Sequence, residues 1–240
     1  MNKKYLYILI TYIAMQMSAF IGMPLLFFIG TGVFNVSIER MEILATGLWL
    51  IFSFITGLVV VLLILKRSKP YNRVDRVEPM PIGQSILWAI GGIFLAFFTQ
   101  YVAIVLELQL GIDPGSENTE QIMNLIRLFP LAVLVSSIIG PILEEIVFRK
   151  VIFGSLYNRF PFWLSALLSS LTFAVAHMDF THILIYTAMG FTFAFLYVHT
   201  KRIIVPIISH AMMNTLVTVA QFSTLDNAIH VQGWIRGLLW

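Results

Sequence analysis

The sequence predicts an all-α, polytopic integral membrane protein with about seven transmembrane helices. Hydrophobic residues make up 59% of the 240-residue chain and charged residues only 11%, whereas a soluble domain is typically about 45–50% apolar and about 25% charged. The mean hydropathy is +0.89, and several apolar stretches reach the roughly 20 residues that a spanning helix needs. These observations exclude a water-soluble globular domain.

Seven apolar segments are long enough to span a bilayer. The first begins behind Lys3 and Lys4 and is too long for the apolar core of a signal peptide, so we expect it to be retained as a span. The tail after the seventh segment is too short to cross well, although an eighth, partial span is an alternative. The seven segments are residues 5–29, 43–65, 86–108, 130–156, 162–178, 182–200 and 203–222.

The distribution of Lys and Arg predicts a cytoplasmic N-terminus, because basic residues favour cytoplasmic loops. With the N-terminus inside, 12 of the 15 basic residues fall on the cytoplasmic side, and the opposite orientation reverses that ratio. We therefore expect a multi-pass protein of the cell membrane. The 12 residues are Lys3, Lys4, Lys66, Arg67, Lys69, Arg73, Arg76, Arg149, Lys150, Arg159, Lys201 and Arg202.

Composition divides the chain into three parts. Residues 1–115 contain three spans and a basic cytoplasmic loop, and residues 116–222 contain four spans with all of the candidate catalytic residues. Residues 223–240 form a tail in which Trp234 and Trp240 are typical of an anchor at the membrane interface. Because cysteine is absent, the chain has no disulfide framework and no thiolate nucleophile or metal ligand.

Two adjacent carboxylates, Glu144 and Glu145, lie inside the apolar fourth segment. An ionisable group at membrane depth costs at least about 2.5–3.5 kcal/mol, so it indicates a functional site by default. Glu145 and Arg149 are four residues apart on one helix face and can pair, whereas Glu144 lies about 100° around the helix. The pattern predicts one structural carboxylate and one free to act as a general base. The alternative is a purely structural ion pair.

The fifth segment carries Ser165, Ser169, Phe173 and His177 at four-residue spacing, which places all four on one helix face. Small serine side chains allow close approach of a neighbouring helix, and Phe173 is expected to pack beneath His177 and exclude water. The alternative is a histidine at the outer membrane interface.

The seventh segment carries Pro206, His210 and Asn214, again four residues apart. The imidazole and the carboxamide therefore face the same way, and both can donate hydrogen bonds to one developing oxyanion. The alternative is a polar contact between helices, which contributes only about 0.6 kcal/mol on average in membranes. The other histidines, at positions 182, 199 and 230, are interpreted as interfacial or solvated.

The three motifs together, Glu144-Glu145-x-x-x-Arg149, Phe173-x-x-x-His177 and His210-x-x-x-Asn214, resemble those of the CPBP intramembrane proteases. This family groups the CAAX prenyl endopeptidases with bacterial Abi-type and bacteriocin-processing or immunity proteins. The resemblance, over roughly residues 116–221, implies a protease in which Glu144 activates water with help from His177. It also implies that His210 and Asn214 form the oxyanion hole, while Glu145 holds Arg149.

The resemblance leaves the cofactor open. A catalytic zinc typically takes three protein ligands and a water, and Glu144, His177 and His210 could supply them. A metal-free glutamate mechanism is the other family model. The position of Asn214 beside His210 favours it, because the amide is better explained as a hydrogen-bond donor to an oxyanion than as a residue next to a zinc ligand. Neither a metal nor any other cofactor is therefore assigned, although Zn²⁺ stays an alternative.

The expected partners are membrane lipid and a membrane-associated peptide or protein substrate, and a net charge of +3 gives no indication of nucleic-acid binding. Two other functions compete with proteolysis. One is a non-catalytic membrane partner of the same fold, such as an immunity protein or a sensor-kinase scaffold. The other is a proton-coupled transporter, but the broken-helix repeats expected of such a protein are not evident in the sequence.

Overall fold

The structure, a computed structural model, describes residues 2–66 and 69–238, with side chains up to Ser223. This part of the chain is helical and contains no strands. We number its helices α1 to α9, with α6 made of several short pieces. They are α1 Lys3–Met17, α2 Ala19–Gly32, α3 Ile38–Lys66, α4 Ile82–Gln109, α5 Glu117–Leu128, α6 residues 132–157, α7 Phe162–Ala176, α8 Ile183–Thr200 and α9 Ile204–Leu238.

Five stretches are long and apolar enough to cross a membrane: Lys3–Gly32, Ile38–Lys66, Ile82–Gln109, Ile183–Thr200 and Ile204–Ser223. They correspond to the predicted first, second, third, sixth and seventh spans, and the all-α polytopic fold is confirmed. The predicted fourth span is the composite helix α6, and the predicted fifth span is the 15-residue α7. The first span is interrupted at Ser18, between α1 and α2.

Helix α6 alternates between regular and widened turns. Its pieces in order are Ala132–Leu134, the π-helical Val135–Ile139, the α-helical Gly140–Glu144, the π-helical Glu145–Phe153 and Gly154–Tyr157. Pro141 has no N–H to donate to the carbonyl of Ser137, and the turn before it is widened, with the Gly140 N–H bonded to the Val135 carbonyl. Such π segments occur frequently at functional sites.

Neighbouring elements donate hydrogen bonds to the carbonyls of the widened segments. Asn214 on α9 donates to the Ser136 carbonyl at 3.1 Å, and Ser169 on α7 donates to the Phe148 carbonyl at 2.7 Å. Because a backbone group in an apolar interior must find a partner, these side chains stabilise the wide geometry. The predicted role of Ser169 in close helix approach therefore includes a hydrogen bond to α6.

Helix α6 lies at the centre of the bundle and contacts α1, α3, α7, α8 and α9. Its Leu143, Val147 and Val151 are fully buried in the main apolar cluster, together with Ile8 of α1. On the outer helices, large apolar side chains point outward instead, as with Phe20, which is 78% exposed. This distribution suits a protein whose outer surface faces lipid and whose functional groups lie inside.

The basic loop between α3 and α4, predicted to be cytoplasmic, is anchored to the bundle. Asn72, which is fully buried, donates to the Lys150 carbonyl at 3.1 Å and to the Tyr197 hydroxyl at 3.0 Å. Asp75 forms an ion pair with Lys150 at 2.6 Å. The loop therefore has a packing role in addition to its predicted effect on topology.

Arg149 requires one correction, because it was counted among the cytoplasmic loop cations. It is 1% exposed and lies inside the bundle, so it belongs to the interior. The N-in orientation stays a prediction from the remaining basic residues. In the tail, the backbone continues α9 to Leu238, but the side chains of the predicted interfacial anchor lie outside the described residues.

Candidate active site

Glu144 and Glu145 lie where the regular turn of α6 passes into its second widened segment. The Glu145 side chain is fully buried, whereas the Glu144 side chain is 19% exposed. Gly140 lies one turn earlier, and a Cβ there would come within 2.9 Å of the Val135 carbonyl oxygen and 3.7 Å of Glu144 Oε1. The absence of a side chain at position 140 thus leaves room for both the wide turn and the carboxylate.

Glu145 is held by two buried partners. Its Oε1 lies 3.1 Å from Nη1 of Arg149, which is the ion pair that the four-residue spacing predicts, and 2.8 Å from Nδ1 of His210. The Arg149 guanidinium lies over the ring of Phe173 at 4.2 Å and over that of Phe193 at 5.3 Å. A buried charge needs such pairing, so Glu145 is already engaged and is poorly placed to act as a base.

His210 joins the two carboxylates. Its Nδ1 lies next to Glu145 and its Nε2 lies 3.8 Å from Oε2 of Glu144. The ring is 2% exposed and stacks on Phe193 with 4.7 Å between centroids and an interplanar angle of 19°. The contacts with Glu145 and Phe193 fix the imidazole, so that Nε2 is the nitrogen directed toward Glu144.

His177 lies directly after the last residue of α7. Its Nδ1 is 2.8 Å from the Phe173 carbonyl oxygen, and a carbonyl can only accept, so Nδ1 carries the hydrogen and donates it. In the neutral ring Nε2 is then an acceptor. The Phe173 ring lies 4.4 Å from the imidazole in an edge arrangement, as expected from the four-residue spacing.

Asn214 lies one turn after His210 on α9, and one of its two amide hydrogens is used in the bond to the Ser136 carbonyl. A carboxamide has two donor hydrogens, so the second one can bond another acceptor. Asn214 therefore combines support of the widened α6 backbone with a position beside His210.

The four predicted catalytic residues line one cavity of about 360 Å³: Glu144, His177, His210 and Asn214. The predicted supporting residues lie behind its wall, since Glu145, Arg149 and Phe173 are each no more than 1% exposed. The rest of the wall is mainly apolar and aromatic, and includes residues that no sequence motif indicated. These include Tyr12, Gln16, Leu50, Phe54, Met123, Tyr186 and Met213.

A second histidine–carboxylate pair lies beside the cavity, and it corrects the interpretation of His182 as interfacial or solvated. His182 is 4% exposed and Glu107 is 3% exposed. His182 Nδ1 lies 2.7 Å from Glu107 Oε2, and Nε2 lies 2.7 Å from the Gly115 carbonyl oxygen. A carboxylate inside the apolar third segment was the sequence signal for this pair, but its partner lies 75 residues away.

His182 precedes α8 and lies outside the span Ile183–Thr200. Burial by itself lowers the pKa of His182, but the hydrogen bonds with the Glu107 carboxylate and the Gly115 carbonyl raise it, and the net pKa is above the ordinary value. Its two ring nitrogens face a carboxylate and a carbonyl oxygen. This geometry and the raised pKa both favour the imidazolium form.

The alternative zinc site requires Glu144, His177 and His210 to converge on one point. Among the residues that the structure describes, no three or more His, Cys, Asp or Glu side chains form a group that could hold a metal ion. The zinc set of Glu144, His177 and His210 stays a prediction.

Comparison with known proteins identifies the family. A family model described as type II CAAX prenyl endopeptidase Rce1-like matches residues 126–216, a range that contains every candidate catalytic residue. A Bacillus subtilis protein named putative membrane peptidase YdiL is 50% identical over 233 residues, covering 97% of this chain and 95% of that protein. The chain belongs to the Rce1-like CAAX protease family.

Two further relatives match, and one of them is also named as a CAAX protease. The Staphylococcus aureus protein named membrane-embedded CAAX protease MroQ is 39% identical over 179 residues, covering 72% of each chain. The Lactococcus lactis UPF0177 protein YxdF is 29% identical over 132 residues, or 54% of this chain and 73% of that protein. No solved structure matches. This member of the CAAX protease family is accordingly an intramembrane protease, and a multi-pass protein of a bacterial cell membrane.

Proposed function

We propose that this protease hydrolyses a peptide bond of a membrane-associated peptide or protein, with Glu144 as the base that activates water. One observation supports this choice over Glu145. Glu144 is the partly exposed carboxylate on the cavity wall, whereas Glu145 is buried against Arg149 and His210. A general base must reach a water in the cavity, and Glu144 is the member of the pair that does.

In the proposed reaction, the water oxygen attacks the carbonyl carbon of the scissile bond while Glu144 takes one of its protons. His177 accepts the second hydrogen of the water through Nε2, which orients the water without removing that hydrogen. The C–N bond then breaks, and Glu144 passes its proton to the leaving amine. The products are a carboxylic acid and an amine, and no other reactant is needed.

The tetrahedral intermediate needs donors for its oxyanion. Asn214 can supply its second amide hydrogen, and His210 can supply a hydrogen from Nε2. Because Nδ1 of His210 already donates to Glu145, donation from Nε2 requires the imidazolium. Glu144 carries the proton from water at this stage, so the Glu145 carboxylate beside Nδ1 is the group suited to balance that charge. Removal of one oxyanion donor typically costs about 10²–10³-fold in kcat.

The cavity restricts the substrate class. Its wall is mainly apolar, and the helices around it carry apolar side chains on their outer faces, which suits a substrate segment that arrives from the membrane. A relative is named a CAAX protease, but the proposal here is the broader class of membrane-associated peptides or proteins. Prenylation is not a requirement of the proposal. No step is assigned to a metal, so a chelator is expected to leave turnover unchanged.

The deciding experiment compares cells that contain wild-type protein with cells that contain Glu144→Gln. Peptides and membrane-protein fragments are quantified by mass spectrometry, and Glu117→Gln serves as the matched control because Glu117 is exposed on α5. We expect at least one fragment to fall by about 10²–10⁴-fold in Glu144→Gln, the range for loss of a general base. Unchanged fragments would contradict the proposal and favour a non-catalytic membrane partner.

A further inference from the structure

Tyr186 on α8 packs against the ring that the proposed mechanism uses to orient water. Its phenol ring stacks on the His177 imidazole with 4.2 Å between centroids and an interplanar angle of 28°. The Tyr186 side chain is 8% exposed and lines the same cavity. No motif in the sequence indicated this residue.

The His177 ring is thereby held from three directions. Tyr186 covers one face, and the Phe173 ring meets it at 4.4 Å with an interplanar angle of 66°. The third restraint is the hydrogen bond from Nδ1 to the Phe173 carbonyl. Two of these restraints come from α7 itself, so Tyr186 is the restraint that comes from another helix.

The Tyr186 hydroxyl is itself anchored. Asn118 Nδ2 donates to it at 3.3 Å, and Ser116 Oγ lies 3.3 Å away. Ser116 in turn donates to Asp179 Oδ2 at 2.7 Å and accepts from the backbone N–H of Thr119 as the N-cap of α5. The phenol ring is therefore fixed at both ends, by α8 at its Cα and by the start of α5 at its hydroxyl.

We propose that Tyr186 is a positioning residue for His177, holding the imidazole so that Nε2 is presented to the cavity beside Glu144. This inference rests on the proposed function, in which His177 orients the attacking water. A stacked ring prevents rotation about the Cβ–Cγ bond, and a misplacement of about 1 Å can cost about 10²-fold in rate. Tyr186 touches neither water nor substrate in this role.

The kinetic test uses a synthetic peptide that spans the cleavage site identified by the Glu144→Gln comparison. We expect Tyr186→Leu to lower kcat by about 10- to 100-fold with little change in KM, and Tyr186→Phe to retain most of the rate because the stack persists. Tyr101→Leu is the matched control, since Tyr101 is 64% exposed on α4. Equal kcat in wild type and Tyr186→Leu would overturn the inference.

A double-mutant cycle separates positioning from a general structural effect. If Tyr186 acts through His177, then adding Tyr186→Leu to His177→Ala should lower kcat no further. An undiminished additional loss would mean that Tyr186 acts by another route. If His177→Ala and Glu144→Gln both keep full activity, the proposed function itself fails, so the two failures are distinguishable.

A spectroscopic test needs no substrate. The chain has five histidines, so the imidazole ¹⁵N signals of selectively labelled protein can be assigned with His177→Asn. In wild type we expect one tautomer at His177, with the hydrogen on Nδ1, and in Tyr186→Leu an average of two tautomers with faster exchange of that hydrogen. Identical His177 signals in the two proteins would exclude positioning by Tyr186.

Discussion

The described part of the chain contains two buried histidine–carboxylate pairs with nearly equal N–O distances. They differ in the group that the second ring nitrogen faces. His210 lies 2.8 Å from Glu145, and its other nitrogen is directed toward Glu144 on the cavity wall. His182 lies 2.7 Å from Glu107, and its other nitrogen is bonded to the Gly115 carbonyl. The His210 ring therefore has one nitrogen that can bond a ligand in the cavity, whereas both nitrogens of His182 are already hydrogen-bonded within the protein.

The comparison shows why residue type and burial are insufficient to identify a catalytic histidine. Both rings are no more than 4% exposed, and both contact a carboxylate. The Glu107–His182 pair connects the end of α4 to the start of α8, and its bond to Gly115 also fixes the segment before α5. This Glu107–His182 pair, called the outer pair below, is therefore suited to holding these segments together beside the cavity. The Glu145–His210 pair is suited to chemistry inside the cavity.

Exchange of each histidine for alanine should give the largest contrast. We expect His210→Ala to lower kcat per folded molecule by about 10²–10³-fold, because an oxyanion donor is lost. His182→Ala should instead reduce stability, because Glu107 is left buried without its partner, with kcat within about threefold of wild type. Peptide cleavage and unfolding in mixed detergent measure the two effects.

The control for this contrast is His199→Ala, since His199 is exposed at the other end of α8 and stacks on Phe195. It should match wild type in both assays. If His182→Ala lowered kcat per folded molecule as much as His210→Ala, the assignment of a structural role to the outer pair would be wrong.

Variants of the Glu145–Arg149 ion pair, next to His210, should change stability and catalytic activity to different extents. Glu145→Leu leaves Arg149 buried without its carboxylate, and breaking such a pair typically costs about 3–5 kcal/mol. The double variant Glu145→Leu/Arg149→Met removes both charges, so we expect it to regain most of the unfolding free energy. Activity should stay low, because His210 has lost the acceptor that orients its ring.

Unfolding free energies of both variants, measured in the same mixed detergent, check this prediction. The matched control is Glu117→Leu, an exposed position on α5. A double variant as unstable as the single one would mean that the stabilising contribution of Glu145 comes from His210 rather than from Arg149.

The sequence predicted much of the helical fold, and the four residues it proposed as catalytic line one cavity. Particular residues show why. Apolar runs identify long helices directly, and the spacing of Glu145 and Arg149 on one helix predicts their pairing. The widened turns of α6 were not predicted, because they depend on donors from other helices, such as Ser169. Glu107 and His182 were not paired for the same reason, since their contact forms only when α4 packs against α8.

The smallest expected effect is the pH dependence of the outer pair. The folded-state pKa of His182 is raised above the ordinary value of 6.5, so its bonds contribute full stability below about pH 6.5 and that contribution is lost as pH rises through the folded pKa. The charged groups facing it, Glu107 and Asp179, are both acidic and favour the imidazolium throughout that range.

In wild type, we expect limited proteolysis within residues 111–116 to accelerate as pH rises above 6.5. Loss of a ring hydrogen removes one of the two hydrogen bonds by which His182 links Gly115 to Glu107. Glu107→Gln should weaken the pH dependence, since the charged partner of the imidazolium is gone, whereas Glu120→Gln, at an exposed position on α5, should leave it unchanged. The rate is measured relative to cleavage at a site in another exposed loop, which corrects for the added protease's own pH profile. Proteolysis that slows over this range in wild type would reverse the sign required by a raised pKa, and would mean that His182 is neutral in the folded protein.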